Sequence, residues 1–412
     1  MKDKIQHVFV IGSKSIGQYG GYETFVDRLI GEHEFETKIK YHVACKANGE
    51  GFMDENKLSS IEVIKNDDQG HIQEFTYKNA HIFKISCPPI GPAVAIYYDT
   101  VAILYALNYC KNHKIETPIF YVLTCRIGIS ISYLVKKIKA AGGKFFLNPD
   151  GHEWKRAKWS APVRTYWKWS EKKMVSLADL IICDSVNIEK YIHAEYNRKN
   201  TTYIAYGADV DSSKLKDDDP SFINWLKKHD LECDEYYLVV GRFVPENNYE
   251  TMIREFMKSK SKRSLALITN INESFLNELE QKLHWKCDPR IKFAGTVYDR
   301  DLLKKIRENA FGYLHGHEVG GTNPSLLEAL GSTGLNLLLD VGFCREVGKD
   351  ACLYWNKEEG NLSSLINKID SMDKKIRLEF GAKGKERIMT AYSWKLIGNK
   401  YKKTWLTTIE NI

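Results

Sequence analysis

The chain has 412 residues, the length of two or three domains at about 100–200 residues each. Apolar residues make up 43% and charged residues 27%, an ordinary globular composition that excludes a disordered chain, a collagen-like repeat and a small disulfide scaffold. The formal charge of +7 permits an anionic partner such as a phosphate, an acidic membrane or a nucleic acid, without choosing among them. No two of the nine cysteines form a C-x-x-C pair. Their odd number and irregular spacing predict buried free thiols in a reducing compartment.

Taken in chain order, the apolar run His7–Ile11 is too short for a signal-peptide core and reads as a first strand. Further strands are expected at Ile39–Ala44, Ile119–Leu123, Lys144–Leu147, Leu180–Cys183 and Thr202–Ala205. A second series follows at Tyr236–Val240, Leu265–Ile268, Ile291–Phe293, Gly312–Leu314 and Leu335–Leu339. Helical periods fall between them, as at Glu23–Leu29, Ile129–Lys139 and Leu326–Leu330. This alternation predicts parallel sheets in doubly wound α/β domains. The most apolar stretch, Pro92–Cys110, has the length of a membrane helix. A central Asp99 costs about 2.5–3.5 kcal/mol on insertion, so a buried or surface-docked helix is expected. The Asp-rich segment Asp209–Asp234 reads as a connection with a short helix near Phe222–Lys228. The closing segment 383–412 is helical in pattern and carries Trp394, Tyr401 and Trp405.

Four motifs carry chemistry. Gly12–Gly21 follows the first strand and opens a helix; its glycines, Gly20 and Gly21 among them, suit close approach of an anion, or simply a tight turn. In Gly316-His317-Glu318-Val319-Gly320-Gly321-Thr322-Asn323-Pro324-Ser325, Asn323 is an N-cap and Pro324 a first helical residue. A phosphate would sit on the amides of Ser325 and Leu326, and Glu328, one turn on, suits sugar hydroxyls. Gly241-Arg242 places an arginine at a strand end, where parallel sheets bind ligands and where its fork suits phosphate. The fourth motif runs from Asp150-Gly151-His152-Glu153-Trp154-Lys155-Arg156 to Lys158-Trp159 and on to Trp169. It gathers acid–base groups at a strand end and four of the nine tryptophans among Lys and Arg. That mixture suits a lipid headgroup interface, a diphosphate or stacking on single-stranded nucleic acid. The pairs Asp209/Asp211 and Asp217–Asp219 lie in the connection, so no catalytic metal is expected.

In order, these elements resemble a family 4 glycosyltransferase, and the match runs over nearly the whole chain. Ala178–Ser185, Tyr206-Gly207-Ala208-Asp209-Val210, Gly241-Arg242, Phe293-Ala294-Gly295-Thr296-Val297 and Leu327-Glu328-Ala329 carry the resemblance. More narrowly, Gly17–Phe25, Asp150–Trp159 and Val319–Ser325 look like bacterial β-1,4-rhamnosyltransferases of capsule and cell-wall synthesis. Two positions depart from the broad family: its first Glu is Gly320 here, with Glu318 close by, and its usual Lys is Asn247.

The resemblance implies the GT-B architecture, two doubly wound Rossmann-like domains facing each other across a cleft. Residues 1–208 would bind the acceptor, 209–390 the nucleotide sugar, and a helix in 391–412 would cross back. It implies a retaining transfer of L-rhamnose from dTDP-L-rhamnose to a lipid-diphosphate-linked glucose or N-acetylglucosamine. A UDP- or GDP-hexose donor is the alternative, with an epimerase, a hydrolase or a nucleic-acid binder as remoter ones. Arg242, His152, Asp150 and Glu318 are the catalytic candidates. Gly20, Gly21, Arg242, Asn247, Val297, Gly321, Thr322, Asn323, Ser325, Leu326 and Glu328 are the donor-site candidates. Glu153, Trp154, Lys155, Arg156, Lys158 and Trp159 are assigned to the acceptor or membrane side. No cofactor, metal or nucleic-acid partner is expected, and the location implied is the inner face of the cell membrane.

Overall fold

The structure, a computed structural model, describes residues 5–18, 20–156 and 158–410. Tyr19 and Ala157, quoted within two of the motifs, lie outside the described residues. The chain divides into two compact units. The first comprises Met1–Trp154, Ser160–Tyr206 and Trp394–Ile412; the second comprises Lys155–Trp159 and Gly207–Ser393.

Among the described residues, the first unit is built on nine strands: β1 (Gln6–Ile11), β2 (Ile39–Lys46), β3 (Glu62–Asn66), β4 (Ile72–Tyr77), β5 (Ala80–Ile85), β6 (Ile119–Leu123), β7 (Lys144–Asn148), β8 (Leu180–Cys183) and β9 (Thr201–Tyr203). Their order is β3-β4-β5-β2-β1-β6-β7-β8-β9. From β5 to β9 every pairing is parallel, while β3–β4 and β4–β5 are antiparallel. The second unit holds β10 (Tyr236–Val240), β11 (Ser264–Ile268), β12 (Ile291–Gly295), β13 (Gly312–His315), β14 (Asn336–Leu339) and β15 (Leu353–Trp355). Its order, β12-β11-β10-β13-β14-β15, is parallel throughout. This is the doubly wound arrangement in which strand order reverses about the first strand of the unit.

The sheets read as continuous apolar runs because helices cover both faces. In the first unit, Tyr98, Ala102, Ile103 and Ala106 of the helix Val94–Asn112 join Leu134 and Ile138 of Ile131–Ala140, and Met174 of Ala161–Leu177, in one core with Phe9, Phe120 and Leu147. On the opposite face lie the helices Gly21–Glu32 and Trp394–Glu410. Trp405 Nε1 there donates to Tyr41 Oη at 2.7 Å, and Tyr121 and Tyr401 hydroxyls meet at 3.0 Å. The apolar helix Val94–Asn112 therefore docks on the sheet with Asp99 fully buried beneath it. Seven cysteines are buried as expected, but Cys233 and Cys287 are exposed.

The sequence pattern missed β3, β4, β5 and β15 for identifiable reasons. All five residues of β3 are exposed, so it has no apolar face to alternate. The β4–β5 turn uses Lys78 and Asn79, both at positive φ (46° and 56°). Such a turn usually announces itself as Asn-Gly, and lysine there hides it.

A chain of imidazoles crosses the first sheet. His7 Nδ1 lies 2.9 Å from His42 Nε2, His42 Nδ1 lies 3.0 Å from His81 Nδ1, and His81 Nε2 lies 3.0 Å from Glu74 Oε2. Because a carboxylate only accepts, one tautomer set satisfies every link: His81 donates to Glu74, His42 to His81 and His7 to His42. Burial holds all three rings below the usual histidine range, His7 at about 4. The unfolded chain takes up protons on these rings near pH 6.5 and the folded unit does not, so their contribution to stability is full above about pH 7 and falls as the pH drops towards 4. Amide-exchange protection along β1, β2 and β5 should thus fall between pH 7.5 and 5, and His42→Gln should reduce that fall; a fall left unchanged by the substitution would contradict the role of the imidazole chain.

Candidate functional site

In an open parallel sheet the crevice for a ligand lies beyond the carboxyl ends of the strands where strand order reverses. In the second unit this point lies between β10 and β13. Arg242 leaves β10 there with its side chain exposed. The turn it begins is held from below: Asn247 Nδ2 donates to the Arg242 carbonyl at 2.8 Å, and Tyr249 Oη donates to the Gly241 carbonyl at 3.0 Å. Asn247, offered above as a donor contact in place of a lysine, is buried and spends its amide on this turn.

The loop after β13 packs against the same turn. A Cβ on Gly316 would lie 2.4 Å from the Asn247 carbonyl oxygen, and one on Gly241 would lie 2.9 Å from the His317 ring. The rings of His315 and His317 stack at 4.3 Å. Burial pushes both far below the usual histidine range, His315 to about 3, and the Arg242 charge adds to the effect on His317. The pair is therefore neutral at physiological pH and forms an uncharged wall beside the Arg242 and Arg156 cations. Glu318 accepts from Lys357 Nζ at 2.7 Å and from Asn248 Nδ2 at 3.3 Å, so its carboxylate is already matched by a cation. Gly320 stands at φ +143° with open space about it, and Gly321 and Thr322 are buried.

Asn323 caps the helix Pro324–Ser332 by accepting from the Leu326 amide at 3.2 Å. This corrects the expectation that both first-turn amides face a phosphate: the cap takes that of Leu326. The Ser325 hydroxyl turns inward, 3.1 Å from both the Val240 carbonyl and Tyr313 Oη. Val297 is also corrected, since its side chain belongs to the core with Ala294, Leu303 and Ile306. Glu328 is paired with Arg307 Nη2 at 2.7 Å, and Arg307 is almost wholly buried. Arg307 also reaches the Ser325 hydroxyl at 3.3 Å. Sequence reasoning missed this arginine, yet its place on the inward face with Leu303 and Ile306 was the available signal.

In the first unit the reversal falls between β1 and β6. The glycines that the backbone requires there are Gly12 (φ +117°), whose Cβ would lie 2.6 Å from the Leu123 carbonyl oxygen, and Gly17 (φ +70°). Gly21 has no atom near it, so close approach does not explain it, and a Cβ on Gly20 would meet only the flexible end of Glu23. Asp150 and His152 follow β7 at positive φ (59° and 51°). Such strained backbone at strand ends marks functional loops. The Asp150 amide donates to Asn148 Oδ1 at 2.9 Å, and the His152 ring packs 4.2 Å from that of Tyr191.

The tryptophan segment is more structural than expected. Glu153–Lys155 form a short 3-10 turn, and Arg156 is buried rather than surface-facing. Trp154 Nε1 donates to Tyr191 Oη at 3.3 Å, and Lys168 lies 4.5 Å above the Trp154 ring. Lys168 itself is tied to Glu195 at 2.7 Å and Tyr191 at 2.7 Å. Lys158 stacks on Trp159 at 4.5 Å. Asp219 of the Asp-rich connection caps the helix Pro220–His229, and Asp217 accepts from Lys305.

Residues 5–209 match the family model described as a domain of unknown function (DUF1972). A search of curated proteins returned no match. In structure, the chain is similar to sucrose-phosphate synthase from Thermosynechococcus elongatus (TM-score 0.72, 14% identity, 99% of this chain and 100% of that one). It is similar to a glycosyltransferase from Rickettsia africae ESF-5 (TM-score 0.70, 12% identity, 100% of each chain). Anabaena Alr3699/HepE, solved with UDP-glucose, is another such structure (TM-score 0.65, 14% identity, 98% of this chain and 100% of that one). The fold is that of the GT-B glycosyltransferases.

The Glu328–Arg307 pair makes a sharp prediction. Glu328→Leu takes the carboxylate partner from a buried guanidinium and should destabilise the protein by up to about 3–5 kcal/mol, whereas adding Arg307→Met should restore most of that loss. Denaturant unfolding of the two variants tests this; a double variant no more stable than the single would show that the loss does not come from the buried guanidinium.

Proposed function

We propose that the protein is a retaining glycosyltransferase that moves L-rhamnose from dTDP-L-rhamnose to a lipid-diphosphate-linked glucose or N-acetylglucosamine in capsule or cell-wall polysaccharide synthesis. The observation that carries the reading is Arg242, exposed at the carboxyl end of β10 beside the capped helix Pro324–Ser332 with its anchored Glu328. Arg242 and the Ser325 amide would take the diphosphate of the donor, and Glu328 would accept from sugar or ribose hydroxyls. As charge develops on the leaving diphosphate, a fixed cation and a helix N-terminus stabilise it without reorganisation. Transfer would proceed on the front face, with a donor phosphate oxygen taking the proton of the acceptor hydroxyl, and would need no metal. The nucleotide sugar named with Anabaena Alr3699/HepE supports a donor of that chemical class.

The acceptor's lipid would hold the protein at the inner face of the membrane. The helix Ile131–Ala140 carries Lys136, Lys137 and Lys139 and no acid; Ala161–Leu177 carries Arg164, Lys172 and Lys173, and its one acid, Glu171, is buried. Trp169 and Tyr133 are exposed, with Lys173 and Lys137 over their respective rings. Each cation near an anionic leaflet contributes about 1 kcal/mol.

A donor screen on purified protein with synthetic lipid-diphosphate sugars, with and without EDTA, tests the reading. The expected result is a rhamnosylated product from dTDP-L-rhamnose in both conditions, and a rate lower by about 10²–10³ for Arg242→Ala. Product from UDP- or GDP-hexoses alone would replace the donor, and turnover without an acceptor would replace the class. Lys136→Glu with Lys172→Glu should reduce flotation with anionic vesicles and leave donor binding unchanged; equal flotation with neutral vesicles, before and after the change, would remove the membrane contact.

A further inference from the structure

The first unit holds a second arginine at a point of strand reversal, and it is built differently from Arg242. Arg126 sits in the loop after β6. Its Nε donates to Thr124 Oγ1 at 2.6 Å and lies 3.5 Å from the carboxylate of Asp99. Asp99 is fully buried in the helix Val94–Asn112, and burial raises its carboxyl to about 6 against the opposing pull of Arg126.

The loop around Arg126 is fixed from both sides. Tyr166 Oη donates to the Arg126 carbonyl at 2.7 Å, Ser170 Oγ donates to the Cys125 carbonyl at 2.6 Å, and the Gly128 amide donates to Ser170 Oγ at 2.8 Å. A Cβ on Gly128 would lie 2.5 Å from Ser170 Oγ, so the loop and the helix Ala161–Leu177 are in contact at backbone distance. Thr124 is held at φ 75°, a costly conformation for a β-branched residue.

This much scaffolding orients one guanidinium. An arginine serving only the core would spend its fork there. Arg126 spends Nε alone: among the described residues its two Nη groups make no hydrogen bond, and the side chain is 15% exposed. A rigid fork of that kind matches two oxygens of a phosphate.

The surface beside it is apolar. Ile129, three residues on, is 69% exposed, and Tyr133 of the following helix is 57% exposed. Thr100 Oγ1 meets Ser130 Oγ at 2.9 Å, which brings the first turn of the helix Val94–Asn112, with exposed Tyr97, alongside. An oriented cation next to exposed apolar side chains fits an amphiphile with an anionic head. Asp150, close enough to add to the field at Arg126, suits a neutral hydroxylated group rather than a second phosphate.

We propose that Arg126 captures the diphosphate of the lipid-linked acceptor, with Ile129, Tyr97 and Tyr133 contacting the first carbons of the lipid. This rests on the reading above that the acceptor is a lipid-diphosphate sugar. The Asp99 carboxylate is a positioning group that holds the guanidinium by its Nε side and leaves the fork outward.

The test compares two soluble ligands on the full chain: a short prenyl-diphosphate N-acetylglucosamine and the same prenyl glycoside without phosphate. Calorimetry should give tighter binding of the diphosphate ligand to the parent, and inorganic pyrophosphate should compete with it. Arg126→Gln combined with Asp99→Asn leaves no buried charge unpaired, and should weaken diphosphate binding by about 10- to 100-fold. It should leave the phosphate-free ligand and the nucleotide sugar bound as in the parent. Arg126→Lys, which keeps the charge and loses the fork, should fall between. A double variant that retains the parent's preference overturns the role of Arg126 alone. A parent that binds both ligands equally overturns it together with the lipid-diphosphate reading. A change that lowers binding to anionic vesicles and spares the soluble diphosphate ligand assigns the cation to membrane headgroups and also overturns it.

Discussion

Each unit depends on one topological constraint. A parallel sheet whose order reverses about its first strand must send two neighbouring loops away from each other, and the gap they leave is open at the strands' carboxyl ends. In the first unit the gap follows β1 and β6, and in the second it follows β10 and β13. Both central strands are wholly or almost wholly buried. Their apolar runs leave nothing polar to place except at their ends. Chemistry therefore collects where β10 releases Gly241 and Arg242, and where β6 releases Thr124 and Arg126.

At both points a buried ion pair steadies the loops. Arg307 holds Glu328 beneath the second unit's helix start, and Asp99 holds Arg126 beneath the first unit's loop. The polarity is opposite. In the second unit the buried partner is the cation and the acid is the more exposed group; in the first the buried partner is the acid and the cation is the more exposed. Burying either charge unpaired would be costly, so each partner fixes the place and orientation of the other. Each pair thus turns one group outward, a carboxylate suited to hydroxyls and a guanidinium suited to phosphate.

The strands that build this frame were legible because they are buried on both faces and read as unbroken apolar runs. The exposed strand β3 and the Lys78-Asn79 turn between β4 and β5 carry no such signal, and the antiparallel edge β3-β4-β5 was lost with them. Motifs made of backbone signals were also legible: Asn323 and Pro324 start a helix, and Gly241-Arg242 ends a strand. Side-chain roles were harder to read. A sequence cannot show that Asn247 bonds the carbonyl of Arg242, that Lys168 is held by Glu195 and Tyr191, or that the Leu326 amide is spent on its own cap. Arg126 and Arg307 went unseen because each partner is distant in sequence, 27 and 21 residues away, and belongs to another element.

The proposed function puts a nucleotide sugar at the carboxyl ends of β10 and β13. Amide hydrogen exchange on the full chain, with and without saturating dTDP-L-rhamnose and in parallel with UDP-glucose, tests it most directly. Under the proposed function, the nucleotide sugar that binds slows exchange over 241–248 and 316–328, while the amino ends of the same strands, near Tyr236 and Gly312, stay unchanged. Protection confined to those amino ends, or none in the second unit from either nucleotide sugar, would contradict it.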